Sequence, residues 1–417
     1  MKITVHSSKS VKPASSSGSG SSTPAGSSKS KLIPLTVFDE ANHDEYIPGI
    51  FVFHPPAPPV DALEAGLTVM LAEYRHWAGR LVTVDANLGQ RAILLNDAGA
   101  RLVEATADVV LTNVTPLEPT PEVLRLHPRS DDDSAEGELM LLQVTRFSCG
   151  SFAVRYNMHH SVVDGYATCT SLLAWGQAVR GAAAFDPAPV HDRASLFVPR
   201  DPPLVEFEHR GAEFKPRAEK EKALNIVVDV QTVRFSPEFV ARLTSEASAG
   251  RRRPYSVAQC VAAHLWRCVT ASRGIDAHEV TKLHIAVNGR FRMTDPPLIS
   301  KAVSDVNGRY FRSFVDFASS GAVEREGLVR TAVASELVAR TNSSVLGIPF
   351  YDLDFGTGKP FLFVPAAQPV EGAVFLVPEA DGSGGGVAYV PLYRRAVDTF
   401  ASCCYSLLPP VVVDARL

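Results

Sequence analysis

The chain holds 417 residues, 46% of them hydrophobic, with a formal net charge of −4. A single core stops growing at roughly 250–300 residues, so this length implies about two domains. The charge provides no basic field for nucleic acid or anionic lipid, the N-terminus Met1–His6 lacks an apolar run with a cleavage site, and no stretch is apolar for the ~20 residues of a membrane span; the expectation is a cytoplasmic protein that binds neither nucleic acid nor membrane.

Residues 14–31, rich in Ser and Gly, cannot bury enough apolar surface to offset the entropy of ordering, and read as a flexible insert. Apolar residues at Leu63, Leu67, Met70, Leu71, Tyr74 and Trp77 predict a helix over Leu63–Leu81 that stops near Gly79. Ala92–Leu95 reads as a strand after the polar Gly89-Gln90-Arg91 and runs into the turn Asn96–Gly99. The polar stretch Arg129–Glu138 carries Asp131, Asp132 and Asp133 side by side, where a calcium loop would alternate them, so it reads as a solvated loop. Phe152–Met158 alternates as a strand, with Phe152, Val154, Tyr156 and Met158 on one face, and leads straight into His159-His160.

Helical spacing at Leu172, Leu173, Trp175 and Val179 then predicts a helix over Tyr166–Arg180, with Gly181 as its stop. Across 185–222 the periodicity is lost and prolines and charges gather, as in a crossover between domains. The division is therefore an N-terminal domain over 1–184, a linker over 185–222 and a C-terminal domain over 223–417. The last holds a strand at Ile226–Val233, a helix at Ser256–Thr270 and strands near His284–Val287, Phe361–Val364 and Val374–Val377, which makes the class α/β. Six cysteines form no CxxC pair and no zinc-binding spacing with histidine, so they read as free, mostly buried thiols and no metal is expected.

The sharpest local feature is His159-His160-Ser161-Val162-Val163-Asp164-Gly165: a histidine at a strand end, a carboxylate four residues on, then glycine. Imidazole, with an ordinary pKa of about 6.5, suits general-base work, and a carboxylate can fix the loop or the tautomer. Alone, the pattern equally fits a histidine that merely sits beside a turn.

Together with Pro34–Asp39, Trp77–Leu81, Asn96–Ala100, Ala263–Cys268, Asn288-Gly289-Arg290 and Asp354-Phe355-Gly356-Thr357-Gly358, that motif resembles the BAHD family of plant acyl-CoA-dependent acyltransferases, in order and over nearly the whole chain. The resemblance implies two chloramphenicol-acetyltransferase-like domains with mixed sheets and an active-site channel along their interface. It implies acyl-CoA as co-substrate with no permanently bound cofactor, and a monomer. His160 would be the general base. Asp164 and Gly165 would hold its loop, with Asp164 turned away and paired with an arginine. Asp354, Phe355, Gly356 and Gly358 would be structural, with Asp354 paired to Arg290.

Within the family, Met1–Lys9, Pro189–Ser195 and Ile348–Asp352 resemble the amine N-acyltransferases that transfer hydroxycinnamoyl or benzoyl groups to agmatine, tryptamine or putrescine. An acceptor with a second cation needs a carboxylate, because an unpaired buried charge is costly; Glu371 and Asp352 are the candidates. A hydroxyl acceptor of the shikimate or quinate type, or a silent paralogue that binds acyl-CoA without turnover, are the alternatives. Two departures from the family pattern stand out: Thr357 replaces the usual tryptophan, and a glycine- and aromatic-rich block with a strand is missing after Pro297.

Overall fold

The structure is a computed structural model that describes residues 1–15, 31–42, 44–85, 90–113, 137–216, 227–275, 281, 283, 288–290, 306–330, 348–366 and 370–407. The strand expected at His284–Val287, the Asp131–Asp133 run, the shortened segment after Pro297 and most of the 14–31 insert lie outside the described residues. Two compact units emerge. The first joins Met1–Lys215 with Phe314–Val333 and Pro349–Ala367; the second joins Pro216–Ser313 with Ala334–Ile348 and Gln368–Leu417.

In chain order the strands are β1 (Ile3–Val11), β2 (Lys31–Pro34), β3 (Tyr46–Phe53), β4 (Arg80–Asp85), β5 (Gln90–Leu95), β6 (Ala100–Ala107), β7 (Met140–Phe147) and β8 (Phe152–His159). There follow β9 (Phe214–Pro216), β10 (Val228–Phe235), β11 (Leu328–Arg330), β12 (Leu362–Pro365), β13 (Phe375–Pro378) and β14 (Gly386–Tyr393). The first unit is built on a six-stranded sheet in the order β1-β6-β7-β8-β3-β12, parallel between β6 and β7 and antiparallel elsewhere. A smaller sheet, β2-β5-β4, belongs to the same unit.

β8 shows why alternation understates burial at the middle of a sheet. Its predicted inner face is buried, and so are Ala153 and Arg155 on the other face. Arg155 is 1% exposed, and burial draws its pKa down to about 9. Next to the sheet in sequence, the helices Val60–Glu73 and Gly165–Val179 are tied together: Trp175 Nε1 donates to Leu63 O at 2.8 Å, and Trp77 Nε1 to Ser171 Oγ at 3.0 Å. The helix expected over Leu63–Leu81 is shorter than predicted. It ends at Glu73, and a separate tight turn, Arg75–Ala78, delivers Trp77 to that contact before β4 begins.

Two expectations need correction. Arg129–Glu138 was expected to be solvated throughout, yet its last residue, Glu138, is 1% exposed and held by Arg80 and Arg101. The Asp354–Gly358 segment was assigned to the C-terminal domain, yet β12 just beyond it pairs with β3, Leu362 opposite Val52, and so completes the first unit's sheet. An added strand satisfies backbone groups of β3 that an open edge would leave unpaired.

The crossover holds the short helix Arg193–Leu196 and β9, and the stretch between them is pinned by Asp316. Asp316, 1% exposed on the helix Gly308–Ser319, accepts from Arg200 N at 2.8 Å, Arg200 Nε at 2.6 Å and Leu204 N at 2.8 Å. In the second unit the antiparallel sheet β10-β14-β13 shares a core with the helices Pro237–Ala247, Val257–Ser272 and Val397–Cys403, around Phe235, Leu265, Val390 and Phe400. All six thiols are free, Cys149 exposed and the others buried. Among the described residues, no helix is long and apolar enough to cross a membrane.

Candidate active site

β8 ends at His159, the turn carries His160–Asp164, and the helix Gly165–Val179 follows at once. Asp164 is the N-cap of that helix, its Oδ1 accepting from Ala167 N at 2.9 Å. Such a cap satisfies one of the orphan N–H groups of the first turn and fixes where the helix starts. Sequence reasoning missed this cap.

His160 is half-buried and fixed at both backbone and ring: its N–H donates to Glu45 O at 2.8 Å, and its Nδ1 lies 2.8 Å from Val163 O. A carbonyl can only accept, so Nδ1 carries the proton in this contact. In the neutral ring Nε2 therefore keeps the lone pair, the state a base requires.

His159 has the opposite environment. It is 8% exposed, its Nε2 stands 3.7 Å from Asp44 Oδ1, and its ring meets Tyr46 edge-on at 4.9 Å. Burial pulls its pKa down to about 4; Asp44 opposes this, and Arg91 and His160 add to it. With an unfolded value near 6.5, the unfolded chain takes up the proton first as pH falls. This group should therefore cost nothing above about pH 6.5 and destabilise the fold progressively toward pH 4. Denaturant titrations across that window should show His159→Gln losing less stability than the parent chain; an equal loss would count against this assignment.

The Asp354–Gly358 segment packs behind the same helix. Asp354 Oδ1 accepts from Gly356 N at 2.7 Å and Gly358 N at 3.1 Å, and both glycines sit at positive φ, +93° and +111°, where a side chain would be strained. Phe355 meets Trp175 edge-on at 4.8 Å and lies 5.8 Å from Phe53. A Cβ on Gly176 would fall 2.6 Å from Asp354 O, so the helix needs glycine at that point of closest approach. The motif is thus a buttress. Within the first unit its arginine is Arg180, whose Nη1 donates to Asp354 O and stands 3.9 Å from Oδ2. Arg180 caps the C-terminus of the helix beside the motif, whereas Arg290, in the second unit, donates its N–H to Asn288 Oδ1 at 3.2 Å.

Neither proposed counter-ion for a second cation is unengaged. Glu371 forms a two-point pair with Arg273, Oε1 at 2.8 Å from Nε, both side chains under a tenth exposed. Asp352 pairs with Lys359 at 2.9 Å on the surface. Sequence reasoning also missed Asp44, Arg91 and Ser161 around the histidines. Arg91 had been read only as polar residue before a strand, and nothing in the spacing of Asp44 marked it.

A family model described as the Transferase family matches residues 1–341 and 298–407. The chain belongs to this BAHD transferase family. Among relatives, agmatine hydroxycinnamoyltransferase 1 of Oryza sativa subsp. japonica is 51% identical over 453 positions, covering 98% of this chain and 99% of its own length. Agmatine coumaroyltransferase-1 of Hordeum vulgare is 52% identical over 450 positions, covering 98% and 100%. Both alignments exceed the chain's 417 residues, so each relative holds residues with no counterpart in this BAHD chain. Among solved structures, F. graminearum TRI101 complexed with coenzyme A and deoxynivalenol superposes with a TM-score of 0.68 at 16% identity, over 89% of this chain and 97% of that one. At that identity the likeness speaks for the fold, which is the two-unit α/β architecture with a mixed sheet.

Proposed function

We propose that this chain transfers a hydroxycinnamoyl or benzoyl group from coenzyme A to a small amine, agmatine foremost, with His160 as the general base. The observation that carries the catalytic part is the His160 ring held through Nδ1 on Val163 O, with the lone pair at Nε2. The acceptor class rests on the two agmatine-acylating relatives that align with the whole chain. An alkyl ammonium has a pKa of roughly 10, so the amine must shed a proton to attack. In the proposed step Nε2 takes a proton from the attacking nitrogen, the C–N bond forms as the C–S bond breaks, and the proton passes to the departing CoA thiolate. Acyl-CoA is consumed as a co-substrate and no permanent cofactor takes part. Asp164 and the Asp354–Gly358 buttress position the turn and do not react.

The test is an acceptor panel on purified protein, with p-coumaroyl-, feruloyl- and benzoyl-CoA as donors and release of free CoA thiol as readout. Agmatine, putrescine and tryptamine should be acylated, with agmatine the best of them. Equal rates on shikimate or quinate would replace the amine reading with an O-acyltransferase. A second reading, a silent paralogue that binds acyl-CoA, draws on the residues this chain lacks relative to both agmatine transferases. Tight acyl-CoA binding without thiol release on any acceptor would establish it.

A further inference from the structure

The catalytic turn is gripped from two distant points of the sequence. Ser161, directly after His160, is fully buried, and its Oγ accepts from Arg91 Nη2 at 3.1 Å and donates to Asp44 Oδ1 at 3.4 Å. Arg91 Nη1 is itself hydrogen-bonded to Asp44 Oδ1, the same oxygen that faces His159 Nε2 at 3.7 Å. Arg91 belongs to β5 of the small sheet, whereas Asp44 precedes β3 of the large one, whose neighbouring residue Glu45 receives the His160 N–H. We infer that Arg91 and Asp44 form a positioning clamp on the turn, holding Ser161 and His159 on either side of His160 so that its ring is presented in one orientation.

This inference rests on the proposed role of His160 and adds two residues to it. The strength of the clamp lies in geometry. Asp44 is 58% exposed, and an ion pair that open to water contributes little stability. The orientation it enforces matters more, because a displacement of about 1 Å at a reacting group can cost up to about 100-fold in rate. Neither residue touches the substrate in this scheme, so they position the base without reacting.

The charged and titratable groups that act on His159 are Asp44, Arg91 and His160, with the Tyr46 ring packed beside it. Removing the arginine takes a cation away from His159 and should raise its pKa; removing the Asp44 charge should lower it. Arg91→Gln is therefore expected to lower kcat about 10- to 100-fold with KM for both substrates within about twofold. The His159 ring titration followed by NMR should move up in Arg91→Gln and down in Asp44→Asn, and Arg91→Lys should recover part of kcat. Wild-type kcat in Arg91→Gln, or His159 titrations that move together or not at all in the two variants, would overturn the clamp.

If Arg91→Gln does not fold, Ser161→Ala takes its place, with the expected fall in kcat and an unmoved His159 titration; wild-type kcat there would overturn the clamp equally. A parent chain that transfers no acyl group would instead defeat the proposed function. The clamp would then be read from ¹⁵N-histidine spectra, in which the His160 Nδ1–H signal is sharp in the parent and lost to exchange in the variant. An unchanged signal would overturn the clamp without reference to activity.

Discussion

Replacing His160 by alanine is expected to lower kcat/KM by about 10²- to 10⁴-fold, the usual contribution of a positioned general base. The loss should fall on kcat, because in the proposed mechanism the imidazole acts on the proton in flight and holds neither substrate in place. The geometry sharpens the expectation. Val163 O fixes the proton on Nδ1, so the ring offers a lone pair and not an N–H at Nε2, and no rotation of the ring is needed before it can act. His160→Gln tests the same point with a side chain that can still hydrogen-bond but cannot take a proton at neutral pH; it should be as inactive as His160→Ala. Thiol release on protein whose circular dichroism and melting match the parent is the measurement. A variant that keeps activity within tenfold of the parent would remove His160 from the chemistry.

The reach of sequence reasoning differs between the parts of this site for physical reasons. The strand before His159 and the helix after Gly165 were legible because each carries its own period, and both lie within a residue or two of the predicted bounds. The helix predicted over Ser256–Thr270 was legible in the same way and runs over Val257–Ser272, but its cap, Ser256 with Gln259 answering three residues later, was not read. What escaped were partners chosen by tertiary approach. Arg180 reaches Asp354 across 174 residues of sequence, and Arg91 reaches Ser161 across 70; no local pattern encodes either meeting. The crossover showed no period because part of its order comes from partners a hundred or more residues away, Asp316 on Arg200 and Leu204 and Phe314 beside Phe214. The family motif pointed to the His160 turn, but the side chains that steady it are visible only when the strands are laid beside one another.

Substituting Glu138 with alanine should destabilise the first unit by about 3 kcal/mol, near the lower end of the cost of removing one partner from a buried ion pair. Glu138 is 1% exposed and receives Arg101 Nε at 2.8 Å, Arg101 Nη2 at 3.0 Å and Arg80 Nη2 at 3.5 Å, while the two arginine side chains are only 12% and 13% exposed. Without the carboxylate, two close guanidiniums would face each other with little water to screen them, and that repulsion, more than the lost hydrogen bonds, sets the size of the effect. The low end of the range applies because Arg80 also donates to Gly79 O and Gly99 O, each at 2.8 Å, and keeps those bonds in the variant. For a unit of this size the shift corresponds to a fall in melting temperature of about 6–12 °C. Glu138→Gln, which keeps the shape and loses the charge, should fall between the parent and Glu138→Ala. The consequence extends to the active site: Tyr46 OH donates to the Glu138 carbonyl at 2.5 Å, and the Tyr46 ring packs against His159. Glu138→Ala should therefore lose activity on warming before global unfolding begins, as the support behind the catalytic turn loosens first. A variant that melts within 2 °C of the parent, or loses activity only as the whole unit unfolds, would show that the two sheets and the turn are held by other contacts.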